Sequence, residues 1–188
     1  MTSPDDVRFR SAETGDAAGV ARLHADSWRR HYRGAFSDAF LDGDVAGYLL
    51  ARWAERLSAH DPNARTIVAE IGGDVVGVAH TQLGENPDWG ALLDNLHVSY
   101  EVKRLGIGTR LMALTAQAVL DPSPASGLYL WVLEQNTAAQ AFYTARGGSC
   151  VETGAVSPPG GDPARLNGSP RCLRFAWPDP SRLLPTVG

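Results

Sequence analysis

Val7-Arg8-Phe9-Arg10 alternates apolar and cationic positions, which predicts a first strand with one face turned inward. The apolar positions then move to three- and four-residue steps at Val20, Leu23, His24, Trp28 and Tyr32, the period of a helix, with Thr14 and Asp16 as candidate caps and Gly34 as a stop. Residues 35–43 read as a short irregular or helical connector. Val45, Leu49, Trp53 and Leu57 recur four apart and predict a second helix, broken at Asp61-Pro62-Asn63. Runs 65–71 and 75–81 read as strands joined through the glycine hairpin Gly72-Gly73-Asp74. After a loop over 84–89 come a strand over 91–98 and an apolar helix over 106–120. Asp121-Pro122-Ser123-Pro124 ends that helix, because proline donates no backbone hydrogen bond. A strand over 128–133, a helix over 137–146 and a closing antiparallel pair, 149–153 with 172–177, complete the pattern. The order is α+β around one mixed, mostly antiparallel sheet flanked by helices. Residues 154–170 are rich in Gly, Pro and Ser without periodicity, and a loop of that length in a compact domain is functional or disordered. No internal repeat is visible. Residues 1–178 are expected to be one domain and 179–188 a flexible tail.

Composition narrows the class. A chain of 188 residues, 44% hydrophobic and 20% charged, is long enough to bury a core and is not of disordered type. The net charge of −4 and the lack of a basic run argue against nucleic acid as a partner. No apolar stretch reaches membrane-spanning length and the first residues do not read as a signal peptide, so a cytoplasmic protein with no membrane partner is expected. Cys150 and Cys172 read as small core or strand residues in a reducing compartment, a cross-strand disulfide being the alternative. No Cys/His cluster has metal-ligand spacing, and no metal is expected.

The chemistry is densest between residues 91 and 120. A strand feeding a glycine loop that opens a helix makes an anion site, because first-turn N–H groups have no intrahelical partner and carry the positive end of the dipole. A P-loop run is absent. A dinucleotide fingerprint fails at Leu111, where the third glycine would stand. What remains is Lys103-x-x-Gly106-x-Gly108, a cation three residues ahead of a Gly-x-Gly at a helix start, which an ordinary strand–loop–helix turn would also satisfy.

The wider context is more specific. Leu96-His97-Val98, followed by Lys103-Arg104-Leu105-Gly106-Ile107-Gly108-Thr109-Arg110-Leu111, resembles the acyl-CoA pyrophosphate loop of the GNAT N-acetyltransferase superfamily. Asn136, opening a helix that ends in Phe142-Tyr143 and then Gly147, resembles its second motif. The resemblance runs from about Val7 to Trp177. It departs at Lys103, where the family prefers Gln or Arg, at Tyr100, which replaces a common proline, and at Gly148, which replaces a phenylalanine and should loosen packing at the start of the next strand. The resemblance implies acetyl-CoA as cosubstrate, held by Leu96, His97, Val98, the loop from Lys103 to Arg110, Asn136, Phe142 and Tyr143. It further implies a splay between the fourth and fifth strands, main-chain contacts from Val98 to the pantetheine arm, and Tyr143 as proton donor to the departing thiolate.

Acyl transfer to an amine has three needs. The ammonium, with a pKa near ~10.4, must lose a proton; the oxyanion needs aimed N–H donors; the thiolate gains from an acid. Leu92, Asp94 and Leu96 should share one strand face and Leu93, Asn95 and His97 the other, so Asp94 and His97, the two candidate bases, point apart unless a bulge intervenes. Glu134 and His80 are weaker candidates, and a water chain would need no single base. Trp28 and Tyr32, with Asn95, are the expected acceptor contacts. The run Ser27-Trp28-x-x-x-Tyr32-x-Gly34 resembles the acceptor-side helix of one GNAT subgroup, and 154–170 would form the other wall. Arg29, Arg30 and Arg33 suggest an acceptor that also carries a carboxylate or phosphate, or are a solvated face. The expected activity is acetyl transfer from acetyl-CoA to a primary amine of a small molecule, direct and within a ternary complex. A peptide or protein amine is the alternative acceptor, and a non-catalytic acyl-CoA-binding domain the alternative function. The closing strand pair could serve a homodimer.

Overall fold

Twelve regular elements build one mixed sheet with helices on both faces: β1 (Arg8–Ser11), α1 (Ala17–His31), α2 (Asp38–Asp42), α3 (Val45–Ser58), β2 (Ala64–Ile71), β3 (Asp74–Asn86), β4 (Gly90–Val98), α4 (Ile107–Leu120), β5 (Leu128–Leu133), α5 (Thr137–Thr144), β6 (Ser149–Ala155) and β7 (Arg171–Trp177). The computed structural model describes residues 6–102, 104–123 and 126–185. The strand order is β1-β2-β3-β4-β5-β7-β6, antiparallel except for β4 with β5.

Periodicity explains which faces meet. On α3 the four-residue stripe Val45, Leu49 and Trp53 is buried, while Leu57 is half-buried. That stripe packs with Val20 and Leu23 of α1 and with Val68 and Val78 of the sheet. Each such side chain stabilises the fold by about 1.5–3 kcal/mol. The opposite face is covered by α4, whose Ile107, Leu111, Met112 and Val119 meet Leu93, Leu128, Leu130 and Trp177. No helix among the described residues is long and apolar enough to cross a membrane.

Two irregularities in β4 shape everything that follows. Its parallel pairing with β5 stops after Ala91↔Leu128 and Leu92↔Tyr129, so the two strands separate toward their C-terminal ends. Its register against β3 then shifts, with Leu93 opposite Thr81 and Asn95 opposite His80. Asp94 is the extra residue of a bulge, which flips the alternation beyond it.

Several expectations change. β3 does not stop at Thr81 or yield to a loop at Gly84. It continues to Asn86, whose Oδ1 accepts from the N–H groups of Asp88 (2.9 Å) and Trp89 (3.0 Å) and closes the turn into β4. Gly148 does not loosen the strand that follows. A Cβ there would lie 2.5 Å from the Trp177 ring, so the indole already fills the space, and its Nε1 donates to the Arg146 carbonyl at 2.9 Å. Cys150 is an exposed strand residue, not a core one, while Cys172 is buried; both are free and stand opposite Phe175 and Gly154, not each other. The segment expected to be a loose tail begins with a 3-10 turn, Pro180–Leu183, in which Pro180 is buried and Leu183 meets the α4-side core. Residues 186–188, like Lys103 and Pro124, lie outside the described residues.

Candidate active site

Where β4 leaves β5, a cavity of about 910 Å³ opens through the molecule. Residues 93–98 of one strand and Leu130, Trp131 and Val132 of the other line its two sides. The α4 start and α5 stand at one end. The other end is walled by α1, α3 and residues 157–160.

The α4 end is made largely of main chain. Gly106 precedes the helix at φ +74°, a left-handed conformation that glycine adopts without strain, and no side chain caps the helix. A Cβ on Gly106 would meet nothing within 4 Å; one on Gly108 would lie 3.2 Å from the Phe142 ring. Arg104 also has φ +74°, so the turn before α4 bends twice through the left-handed region. First-turn amides of a fourteen-residue helix, without a side-chain cap and facing a cavity, suit a diphosphate. Arg104, Gly106, Ile107, Gly108 and Thr109 line this end, whereas Leu105 packs into the core and Arg110 points to solvent. Lys103 is outside the described residues. Arg146, from just beyond α5, lies over the Phe142 ring at 4.0 Å and donates to the Thr109 hydroxyl through Nε at 3.1 Å and through Nη2.

Asn136 caps α5, its Oδ1 accepting from the Ala139 N–H at 3.2 Å, and it lines the cavity. Seven residues on, Tyr143 is 8% exposed and is wedged against Phe142, Phe175 and Trp177. Burial raises its pKa above the usual phenol value, with nearby Tyr32 acting in the same direction. The hydroxyl therefore keeps its proton throughout the physiological range.

At the middle of the cavity the bulge changes the expected geometry. Asp94 and His97 do not point apart. The Asp94 carboxylate meets Arg56 of α3 at 2.9 Å, and His97 Nδ1 lies 2.9 Å from the Ser27 hydroxyl of α1, so both turn to the face covered by α1 and α3. His97 lies against His24, ring centroids 4.2 Å apart. His24 Nδ1 accepts from the Trp53 indole at 3.1 Å, which places its own proton on Nε2. Burial pushes the His97 pKa down to about 4, against the opposing pull of Asp94. Burial likewise holds His24 well below its usual value, with His97, Arg56 and Arg52 adding to the effect. His80, 3% exposed behind Trp53 and hydrogen-bonded to Thr66 at 2.7 Å, is also lowered by burial, to about 4, and does not line the cavity. All three imidazoles are neutral near pH 7. Glu134 also lies outside the lining.

The far end is aromatic. Trp28, Tyr32, Phe36 and Tyr48 form a continuous wall, with the Trp28 ring 5.5 Å from Tyr32 and 5.0 Å from Phe36. Burial pushes the Tyr32 pKa up to about 12. Residues 157–160 close the wall opposite. They are held by Arg165, whose guanidinium lies over both the Phe40 and Tyr48 rings, at 4.8 and 4.6 Å, and donates to the Pro159 carbonyl. The arginines expected here are elsewhere. Arg29 donates to the Leu41 carbonyl, Arg33 pairs with Asp38 and Asp42, and Arg30 lies over Tyr100; none of them lines the cavity. At this end the arginines that line it, among the described residues, are Arg52 and Arg56, four apart on α3 beside the buried stripe. That spacing is present in the sequence, but nothing local marks it as facing a cavity. His24 shows in the sequence only as one position of the α1 stripe, and Arg146 carries no local signal.

Residues 25–147 match the model of the acetyltransferase (GNAT) family. The chain is 29% identical over 143 residues to Probable N-acetyltransferase Rv2775 of Mycobacterium tuberculosis, covering 74% of this chain and 78% of that protein. Its fold is similar to that of the PaiA N-acetyltransferase of Thermoplasma acidophilum, solved with coenzyme A, at a TM-score of 0.68 and 16% identity over 91% of this chain and 99% of that one. It is also similar to an acetyltransferase of Thermus thermophilus, at a TM-score of 0.60 and 22% identity over 91% and 96%.

Proposed function

Because the chain belongs to the GNAT acetyltransferase family and uses acetyl-CoA as cosubstrate, we propose that it moves the acetyl group directly onto the primary amine of a small molecule within a ternary complex. The observation that carries this reading is one cavity with an anion-receptive helix start at one end, a phenol in its wall and an aromatic enclosure at the other end. The wall at residues 157–160 favours a confined amine over an extended peptide.

Each group then has a task. Amides from Gly106 to Thr109 and the guanidinium of Arg146 hold the diphosphate region. The part of β4 beyond Leu92, unpaired on its β5 side, offers main-chain groups to the pantetheine arm, with Leu96 and Val98 backed by the α4-side core. Bound acetyl-CoA supplies a thioester acetyl carbon, whose C–S bond breaks as the C–N bond forms. Tyr143 gives its proton to the leaving sulfur; the pKa raised by burial makes a free phenolate costly, so the proton released by the amine returns to it through water. His97, neutral and paired with Ser27, can accept that proton in passing, although at a pKa of about 4 it is a weak base. Neither Cys150 nor Cys172 lines the cavity, consistent with transfer that needs no acyl-enzyme.

The test is acetyl-CoA consumption across a panel of primary amines, each product identified by mass. Mono-acetylated small amines are expected. Turnover on peptides alone would refute the small-molecule acceptor, and coenzyme A binding without turnover on any amine would refute transfer.

A further inference from the structure

Resting on that reading, we propose that the acceptor amine also carries a carboxylate, held at the cavity mouth by Arg52 while its nitrogen meets Asn95.

Arg52 lines the cavity, exposed at its rim, with the Tyr48 ring 5.7 Å from its guanidinium carbon. Among the described residues no carboxylate pairs with it. Arg56, one turn on, is already matched by Asp94 at 2.9 Å. The same carboxylate takes the amide of Asn95, Nδ2 to Oδ2 at 2.6 Å. That bond fixes which way the carboxamide is turned, because only its nitrogen can donate. Asn95 Oδ1 is therefore an acceptor, and it is buried without a donor in a residue only 7% exposed. A buried acceptor left unmet costs about 1–3 kcal/mol, so a ligand N–H that reaches it recovers binding energy.

The acceptor half thus has two poles. At one a planar cationic fork lacks an anion, and that fork matches a carboxylate in two parallel hydrogen bonds. At the other an orphaned oxygen and the Asp94 carboxylate favour an amine. Two guanidiniums against one carboxylate, with His24 and His97 neutral, leave this half net positive. A plain alkyl ammonium is repelled there, whereas an amino carboxylate compensates at Arg52. Trp28 and Tyr48 also line the cavity and offer aromatic surface to a side group of the acceptor.

The test compares L-phenylalanine with 2-phenylethylamine, and the other protein amino acids with their decarboxylated amines, by calorimetry on the enzyme–coenzyme A complex. At least one amino acid should bind about five-fold or more tighter than its decarboxylated partner, since Arg52 is at the rim. Arg52→Gln should abolish that preference, and Arg52→Lys should restore part of it. A retained coenzyme A-induced rise in Tm shows that the variants are folded. The proposal is overturned if no carboxylate-bearing compound binds, if every pair favours the decarboxylated amine, or if Arg52→Gln keeps the preference. Acetylation measured in parallel separates the two readings. Preferred binding without acetyl transfer refutes the transferase reading alone. Acetylation confined to decarboxylated amines refutes the carboxylate alone.

Discussion

The two ends of the cavity are built on different principles. The α4 end is local and backbone-made: a strand, a turn with two left-handed residues and a helix start, all within residues 96 to 109. The far end is assembled from side chains of α1, α3, β4 and residues 157–160, more than a hundred positions apart along the chain. A diphosphate is the same for every substrate of such an enzyme, so a fixed backbone cradle suffices. An acceptor must be chosen among many amines, and choice needs side chains that can be exchanged.

That contrast sets what each disturbance should do. Tyr143 sits between the ends, and Tyr143→Phe removes the acid without changing the wall. It should lower kcat about 100-fold or more while coenzyme A still binds, as steady-state kinetics beside calorimetry would show. Acid should strike the sheet face packed by α1 and α3 first. Folded pKa values of about 4 for His80 and His97 lie below the unfolded 6.5, so the unfolded chain binds more protons between those limits. Their contribution is fully present above pH 6.5 and is lost as pH falls toward 4, as much as ~3 kcal/mol for fully buried His80. Hydrogen exchange should rise in α1 and α3 before α4, and Tm should drop across that window. Gly106→Val forces a branched side chain into φ +74°, at a cost of about 1–3 kcal/mol, and projects it toward the ligand space. Coenzyme A affinity should fall about ten-fold or more, by calorimetry, with the acceptor end unaltered. Asn95→Ala acts only at the far end and should raise the acceptor KM by about five-fold, the worth of one hydrogen bond.

The same contrast explains what could be read from the chain. Strand and helix positions followed from periodicity, and the glycine loop from residues that are contiguous. Asp94 defeated the two-residue count because a bulge depends on the partner strand: Leu93 and Asn95 face consecutive residues of β3, and nothing near Asp94 announces it. Gly84 looked like punctuation, yet β3 runs through it because Asn86 closes the turn with its own side chain. Gly148 looked like lost packing because the indole that fills it belongs to Trp177, twenty-nine positions later. Which arginines border the cavity is not legible in the sequence, because a helix surface gives no sign of which stripe faces it.

The most direct measurement is a titration of the ¹⁵N-labelled protein with coenzyme A, following the backbone amides. The shifts should be largest at Gly106, Ile107, Gly108 and Thr109, with a second group at Leu96 to Val98, and should saturate together. Saturable binding that leaves those amides unmoved would contradict the backbone grip that sets the thioester sulfur beside Tyr143.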